Sequence, residues 1–318
     1  MPYELSIIII NWNGGSLLTR CVETIVSSAP KIGYEIVIVD NASSDDSVEQ
    51  LRASAVAAPM IASEQLRIVF NSENRGFGAA NNQAFALTDS PYVFLLNLDT
   101  EVPPGAIDTL IQKLTSDPTI GACGPKLLNA DGTTQTSVFF NPPRVWHTIL
   151  SQLWLYRLLP RRFRGELLLG WHWSHDRERS VPMLGGAAIL AKREVIEEVG
   201  GFNECFHMYA EDNEWCWRIT KSNWRLMFVP EAILLHHGAQ SSGKRWTPAD
   251  QIRVRLSAGF NFERQVLPRW RLAANQLANY LVVSVQITGR KLLRIQHPEL
   301  HVIREMHRKH LRRALTNN

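Results

Sequence analysis

An amide and a carboxylate directly follow an unbroken apolar run close to residue 100. Residues 92–96 read Tyr-Val-Phe-Leu-Leu, and Asn97 and Asp99 come immediately after them. A run without alternation is typical of a strand that is buried on both faces of a mostly parallel sheet. Ligands of open α/β sheets bind outside the carboxyl ends of the strands, where a carboxylate suits a hard divalent cation that carries a diphosphate. The pattern therefore predicts that Asp99 faces such a ligand. The alternative is an Asp that only caps the next turn.

A second acidic group consists of Glu211, Asp212 and Glu214, and it lies among aromatic residues in the segment 202–218. Carboxylates in the first turn of a helix are stabilised by its dipole, which explains their presence without any chemistry. Alternatively, the aromatic side chains enclose a pocket in which one carboxylate accepts a proton from a substrate. The residues by themselves leave both interpretations open.

Polar residues also follow two earlier predicted strands. Asp40 comes after residues 35–39, where an acidic side chain can hydrogen-bond a base or a ribose, although it equally suits a helix cap. Arg75 and Gly76 follow residues 66–70 and open a helix that is rich in small residues. The N-terminal amides of that helix, together with Arg75, suit a phosphate group.

The elements that position these residues alternate between apolar runs and helical patterns, which predicts an α/β fold with a mostly parallel central sheet and flanking helices. Helices are expected to begin at Ser16 and to cover residues 193–199, where Gly200 and Gly201 stop the second one. The predicted strands cover residues 5–10, 35–39, 66–70, 92–96, 119–126, 181–190 and 225–229.

Composition narrows the class of protein. The chain has 318 residues, 45% of them hydrophobic, and a net charge of +4, which is too mild for a protein that binds nucleic acid through its overall charge. Its four cysteines show no CxxC spacing, which indicates reduced thiols in the cytoplasm. We expect no signal peptide and no membrane span, because no apolar run reaches the ~18 residues that a span needs.

Taken together, these segments resemble a family 2 glycosyltransferase with the glycosyltransferase A-type (GT-A) fold, of the rhamnosyltransferase-like branch. The resemblance covers about residues 3 to 242. It implies a sugar transfer from a nucleotide-diphosphate donor to a hydroxyl group, with inversion at the anomeric carbon. The matching segments, in chain order, are residues 6–13, 39–43, 74–81, 96–99, 185–187 and 206–218.

The resemblance implies a role for individual residues. Asp212 would be the general base, and Asp99 would hold Mn²⁺ or Mg²⁺ through the donor diphosphate. His236 matches the position that completes the metal site, but His237 is adjacent and stays an alternative. Asn97 departs from the family's DxD-type motif, because an amide in the first place leaves fewer anionic ligands for the metal.

The remaining site residues are also implied by the resemblance. The expected donor-nucleotide contacts are Asn11, Asn13, Asp40, Asn41, Arg75, Gly76, Asn81 and Asn97. The expected acceptor-pocket residues are Gly186, Glu211, Trp215 and Arg218.

The resemblance further implies a function in cell-surface polysaccharide biosynthesis. The expected donor is dTDP-rhamnose, and the expected acceptor is a saccharide linked to a polyprenyl diphosphate. The alternatives are a UDP-sugar donor, or a catalytically inactive protein that only binds a nucleotide sugar. A nicotinamide dehydrogenase is excluded, because no Gly-x-Gly-x-x-Gly follows the first strand.

Two parts of the sequence combine tryptophans, leucines and arginines. We expect residues 1–242 to form the GT-A domain, with a Trp- and Arg-rich insertion at about 140–180, and residues 243–318 to form a helical extension. The insertion and the extension predict either a helical cap with a basic face in water or a surface in peripheral contact with the inner face of the cytoplasmic membrane.

Overall fold

The structure is a computed structural model, and it describes residues 3–140, 142–238, 247–292 and 297–316. The sequence from His236 to Ser241 reads His-x-Gly-x-x-Ser, and its last three residues lie outside the described residues. The chain divides into two compact units. The first consists of Met1–Phe139 and His175–Ser241, and the second consists of Phe140–Ser174 and Ser242–Asn318.

The strands all belong to the first unit. In chain order they are β1 Leu5–Asn11, β2 Tyr34–Asp40, β3 Leu66–Phe70, β4 Tyr92–Asn97, β5 Thr100–Glu101, β6 Ile120–Leu128, β7 Arg179–Val181, β8 Ala188–Lys192 and β9 Arg225–His236. The helices of the described residues are α1 Ser16–Ser27, α2 Ser47–Ala53, α3 Ala57–Ala62, α4 Phe77–Ala86, α5 Ala106–Thr115, α6 Val145–Gln152, α7 Arg161–Leu168, α8 Arg193–Val199, α9 Glu211–Lys221, α10 Pro248–Val266, α11 Arg269–Leu292 and α12 Pro298–Leu315.

One sheet runs in the order β3-β2-β1-β4-β8-β6-β9-β5, with β7 beside β9. The neighbours among β1 to β4 are parallel, whereas β8 is antiparallel to both β4 and β6. The predicted α/β fold with flanking helices and C-terminal helices is therefore confirmed, and the sheet as a whole is mixed.

The parallel register brings the polar strand ends to one edge of the sheet. Asn11 of β1 lies opposite Asp40 of β2, and Ile10 lies opposite Asn97 of β4. The strands themselves are buried on both faces, as the runs without alternation predict. Ile7 and Ile9 join the main core, and truncating either to Ala would cost ~2–5 kcal/mol.

The small-residue segment 181–190 differs from its prediction as one strand. Strand β7 ends at Val181 and β8 begins at Ala188, so residues 182–187 form a connection between them. The reason lies in the backbone of Gly186, whose N–H donates to the side chain of Asp212 rather than to a neighbouring strand.

The second unit is helical and consists of α6, α7, α10, α11 and α12, with short 3₁₀ turns at Leu155–Leu158 and Gly170–His172. Among the described residues, no helix combines the length and the apolar character needed to cross a bilayer.

Candidate active site

The ends of β1 and β2 are locked together by side chains. Asn11 donates from Nδ2 to Asp40 Oδ1 at 2.7 Å and to Ser47 Oγ at 2.9 Å, and it is completely buried. The second oxygen of Asp40 accepts the backbone N–H of Ser43 at 3.1 Å. Asn13 closes the same turn, because its Oδ1 accepts the N–H of Ser44 at 2.7 Å. Asn11 and Asn13 thus hold the carboxylate of Asp40 at the edge of the sheet.

Asn41 fixes the loop between β3 and α4. Its Oδ1 accepts from Asn71 Nδ2 at 3.1 Å and from the N–H of Arg75 at 3.0 Å, and its Nδ2 donates to the carbonyl of Gly76 at 3.2 Å. The side chain of Arg75 stays exposed to solvent at the start of α4. This arrangement presents one cation beside the helix N-terminus, where a phosphate would be stabilised.

Gly76 and Asn81 have structural reasons for their residue types. Gly76 has a φ of +87°, and a Cβ at this position would lie 2.6 Å from the carbonyl oxygen of His207. Asn81 is buried, and its Nδ2 donates to the carbonyl of Phe77 within α4 at 2.9 Å. The nucleotide contact expected of Asn81 stays a prediction, and its side chain is enclosed in the helix packing here.

Asp99 and His236 meet at the end of the sheet, where β5 pairs with β9. Asp99 Oδ1 lies 3.2 Å from His236 Nε2, and Asn97 Nδ2 lies 3.4 Å from the same nitrogen. Across the described ranges, no three His, Cys, Asp or Glu side chains are grouped so that they could hold a metal ion by themselves. Asp99 and His236 form a pair of ligand types that needs further ligands from elsewhere.

The protonation of His236 suits a cation at this pair. Its Nδ1 donates to Gln135 Oε1 at 2.6 Å, because a carboxamide oxygen can only accept. In the neutral ring, Nε2 then carries a lone pair that faces the carboxylate of Asp99. Two ligands at right angles about one cation, each ~2.1 Å from it, are ~3 Å apart, which is close to the separation found here. The residues present therefore fit a divalent metal.

His237 points to different partners from His236. Its Nε2 lies 2.9 Å from Glu101 Oε1, and the other oxygen of Glu101 accepts from Arg20 at 3.1 Å. The hydrogen bond from Arg20, followed by the one from His237, lowers the pKa of Glu101. Of the two adjacent histidines, His236 is thus the one that meets Asp99.

Two consecutive residues, Gly186 and Ala187, connect the end of β4 to the start of α9 through their backbones. Asn97 donates its backbone N–H to the carbonyl of Ala187 at 2.9 Å, and the N–H of Gly186 donates to Asp212 Oδ2 at 3.0 Å. A Cβ at Gly186 would meet that oxygen at 3.1 Å, so a residue larger than Gly would crowd Asp212. Gly186 therefore positions Asp212 close to the end of β4.

The two carboxylates at the start of α9 differ in their surroundings. Asp212 accepts backbone N–H groups from Gly186 and from Asn213, the second at 2.8 Å. Glu211 is buried, and its Oε2 has no hydrogen-bond partner among the described residues. Burial, and then the charge of Asp212, raises the pKa of Glu211 to about 8, and burial also raises the pKa of Asp212.

The backbone before this pair is strained. Tyr209 and Ala210 both have positive φ angles, of 64° and 70°, and neither is a glycine. Left-handed conformations of non-glycine residues are costly and collect at functional sites. These two backbone conformations change the direction of the chain, so that α9 begins with Glu211 and Asp212.

Trp215 and Arg218, which were expected in the acceptor pocket, connect two helices in this structure. Trp215 is completely buried and donates its Nε1–H to the carbonyl of Gly200 at 3.0 Å. Arg218 donates hydrogen bonds to both carboxylate oxygens of Glu214, at 2.8 and 2.9 Å. It also donates to backbone carbonyls at the end of α8, including that of Gly201 at 2.6 Å. Both side chains connect α9 to the end of α8, because their N–H groups donate hydrogen bonds to protein groups there.

Gln135 is the site residue that sequence reasoning misses. It lies 101 positions before His236, in a segment without helix or strand periodicity. No local signal could have identified it, because only the folded chain brings the two side chains together.

Comparison with known proteins follows this geometry. Residues 6–171 match the family model described as "Glycosyl transferase family 2". An N-acetylglucosaminyl-diphospho-decaprenol L-rhamnosyltransferase of Mycobacterium tuberculosis is 27% identical over 276 residues, which are 82% of this chain and 84% of that protein.

Solved structures share the fold. A mannosyltransferase from Pyrobaculum calidifontis, in complex with GDP-Man and Mn²⁺, is similar with a TM-score of 0.58 and 17% identity, covering 99% of this chain and 86% of that chain. The structure of GalNAc-T7 with UDP, GalNAc and Mn²⁺ gives a TM-score of 0.60 and 15% identity, covering 99% of this chain and 56% of that chain.

Proposed function

Because this chain belongs to glycosyl transferase family 2, we propose that it moves a sugar from a nucleotide-diphosphate donor to a hydroxyl group of a saccharide acceptor. The observation that carries the proposal is the link between the end of β4 and the start of α9. Gly186 holds Asp212 while the next residue, Ala187, holds Asn97, so a candidate base lies beside the candidate diphosphate site.

Asp212 is the base in this proposal. It takes the proton of the acceptor hydroxyl while the hydroxyl oxygen bonds to the anomeric carbon, and the bond from that carbon to the diphosphate oxygen breaks. A single displacement of this kind inverts the anomeric centre. The two backbone N–H groups on Asp212 orient it and favour its ionised form against the effect of burial, and protonated Glu211 adds no second charge beside it.

Asp99 and His236 are the residues that would hold Mg²⁺ or Mn²⁺ together with the donor diphosphate. When bound, the cation stabilises the negative charge that the leaving diphosphate gains. Gln135 keeps the hydrogen of His236 on Nδ1, so that Nε2 stays available. Arg75, at the start of α4, supplies a further positive charge for the nucleotide phosphates.

The donor proposed is dTDP-rhamnose, and the acceptor proposed is a saccharide on a polyprenyl diphosphate. Support comes from the M. tuberculosis relative, whose printed name gives a rhamnosyl group and an N-acetylglucosaminyl-diphospho-decaprenol. With that acceptor the enzyme would work at the inner face of the cytoplasmic membrane, in the synthesis of cell-surface polysaccharide.

The test is a product assay with the purified full chain. An N-acetylglucosaminyl-diphospho-polyprenol is incubated with dTDP-rhamnose, UDP-glucose or GDP-mannose, each with Mg²⁺ or Mn²⁺, and the lipid product is analysed by mass spectrometry. A deoxyhexose added only from dTDP-rhamnose supports the full proposal. A hexose added from another donor keeps the transferase assignment and overturns the donor. No product with any donor, together with no binding of any nucleotide, overturns the site.

A further inference from the structure

The two units carry opposite charge. The second unit contains 20 Lys and Arg against 5 Asp and Glu, a net charge of +15, whereas the first contains 14 against 25, a net charge of −11. The mild net charge of the whole chain hides this asymmetry. An excess of this size on one unit indicates an anionic partner.

The second unit also exposes most of the large apolar side chains. Of the sixteen such side chains that are exposed in the described residues, twelve belong to it. They are Trp146, Trp154, Leu155, Leu158, Phe163, Leu167, Trp171, Trp270, Leu277, Leu281, Val285 and Leu315. Apolar groups exposed in this number mark an interaction surface.

Helix α11 shows how ordered this surface is. Leu277, Leu281 and Val285 repeat at every fourth residue, which places them on one face of the helix, and they are 44%, 52% and 59% exposed. We call these three residues the apolar stripe. The stripe faces outward although the same helix also buries apolar side chains such as Val282 and Val283, so α11 is apolar on more than the face it packs.

The inward face of α11 combines buried apolar side chains, among them Val282, Val283 and Ile287, with buried amides that hydrogen-bond other segments of the helical unit. Gln276 donates to Glu263 at 3.2 Å, and its Oε1 lies 2.9 Å from His307 Nδ1. Asn275 donates to the carbonyl of Pro143 at 3.0 Å, and Asn279 accepts from Gln152 at 3.2 Å. Turning the apolar stripe inward would break these hydrogen bonds and leave buried polar groups unpaired.

The charges of α11 lie only at its ends. No charged residue occurs from position 272 to position 289, whereas Arg269 and Arg271 precede this stretch and Arg290 and Lys291 follow it. Trp270, at the N-terminal end, is 74% exposed. Basic and aromatic residues around an apolar face are typical of helices that lie in the headgroup region of a bilayer.

We infer that α11 lies along the surface of a membrane that contains anionic phospholipid, with its apolar stripe at the acyl boundary and its terminal basic residues on lipid phosphates. Two copies joined through their helical units fit this surface poorly, because two units of charge +15 repel each other. Nucleic acid would leave the aliphatic stripe uncovered, because bases stack on rings and not on Leu or Val side chains. The inference rests on the helical unit and does not depend on the proposed sugar transfer.

The experiment is flotation of the full chain with two kinds of vesicle, phosphatidylcholine alone and phosphatidylcholine mixed with an equal part of phosphatidylglycerol. The test variant is Leu281→Gln/Val285→Gln. The matched control is Leu87→Gln/Ile233→Thr, which removes two apolar side chains that are 42% and 38% exposed on the first unit. Thermal unfolding of both double variants checks that they are folded.

Wild type should bind the anionic vesicles more strongly than the neutral ones, and high salt should weaken the binding. The α11 variant should lose ~10- to 100-fold in partitioning, while the control changes it by less than about twofold. The inference is overturned if wild type ignores anionic vesicles, or if the α11 variant binds them like wild type. It is also overturned if wild type binds RNA but no vesicle, or if sedimentation velocity finds a dimer that the α11 variant dissociates.

Discussion

Glu211 and Asp212 are adjacent buried carboxylates that differ in their hydrogen bonds. Two backbone N–H groups stabilise the ionised form of Asp212, whereas Oε2 of Glu211 receives no hydrogen bond among the described residues. Burial and the neighbouring charge raise the pKa of Glu211 to about 8. Glu211 therefore keeps its proton at neutral pH, and Asp212, whose oxygens accept two backbone N–H groups, is the base that we propose.

Replacing Asp212 by Asn tests its role as the base. The amide keeps the size of the side chain but accepts no proton, so turnover should fall by ~10² to 10⁴, while the dissociation constant of the donor nucleotide changes by less than about threefold. The same change at an exposed carboxylate, Asp176→Asn, is the control. Turnover of Asp212→Asn near the wild-type rate would show that another group takes the proton.

The pKa of Glu211 predicts how stability depends on pH. The unfolded chain ionises Glu211 near pH 4.5, and the folded chain ionises it near pH 8. Between these values the folded state binds more protons, so the free energy of unfolding falls as pH rises. Between about pH 6 and about pH 9, wild type should lose on the order of a few kcal/mol of unfolding free energy, as measured by urea unfolding, and Glu211→Gln should not show this loss. The exposed Glu231→Gln should keep the wild-type slope, and an equal slope in Glu211→Gln would contradict the assignment.

Gln135 offers a test of the tautomer of His236. Gln135→Leu removes the acceptor for Nδ1–H and should weaken Mn²⁺ binding ~10- to 100-fold, as measured by calorimetry in the presence of a nucleotide diphosphate. Gln135→Glu keeps an acceptor at the same place and should retain most of the affinity. Equal weakening in both variants would mean that the amide serves the fold and not the imidazole.

At the scale of residues, the sequence predicts those whose type alone suggests chemistry. Asp99 and Asp212 follow recognisable strand and helix signals, and the structure brings each into a connected set of polar groups. Trp215 and Arg218 show the limit, because an aromatic and a cation fit a pocket and a core equally well until their hydrogen bonds are known.

The pairing of β5 with β9 separates two histidines that the sequence leaves equivalent. Thr100 lies opposite His236, and adjacent strand residues point to opposite faces, so His236 reaches Asp99 while His237 reaches Glu101. The strand therefore places the ring of His236, and not that of His237, beside Asp99. The sequence does not show this, because its pattern predicts a strand that ends at residue 229.

That underestimate of β9 has a physical cause. Pro230 has no N–H for a sheet ladder, which makes the segment appear to end there. The structure accommodates Pro230 with a register shift in the pairing of β6 with β9. Pro125 pairs with Val229 and Lys126 with Ile233, and β9 continues to His236. In contrast, β3 and α8 have no such interruption, and their predicted ranges are confirmed.

Replacing each histidine by alanine tests whether His236 or His237 contributes to metal binding. His236→Ala should weaken Mn²⁺ binding in the presence of a nucleotide diphosphate by at least ~tenfold, because it removes a ligand. His237→Ala is the matched control and should change the affinity by less than about threefold, since its ring bonds Glu101. The reverse ranking would place the metal on the face of Glu101.

At the scale of the molecule, pattern and family resemblance predict the fold class, but they say little about how the surface is divided. The apolar periodicity of α11 is visible in the sequence, yet it does not tell which face turns outward. The partners of Gln276 and Asn279 and the packing of Val282 and Val283 decide that, and these contacts form only in the folded helical unit.

Ligand-linked stability tests the whole candidate donor site at once. A ligand at about a hundred times its dissociation constant stabilises the folded state by ~2.7 kcal/mol, which shifts thermal unfolding by a few degrees. We expect this shift for the full chain with dTDP and Mn²⁺, less of it with UDP or GDP, and none when a chelator is added.

Asp99→Ala should abolish the shift, because the pair with His236 then loses its carboxylate. Asp176→Asn should keep it, which separates a lost ligand from a general effect of removing a charge. The two units can unfold in separate steps, so the transition that moves with nucleotide is the one to follow. A shift that survives both chelator and Asp99→Ala would mean that the nucleotide binds without a metal at this pair. In that case Arg75 and the N-terminus of α4 would have to carry the phosphates, and Arg75→Ala would become the variant that removes the shift.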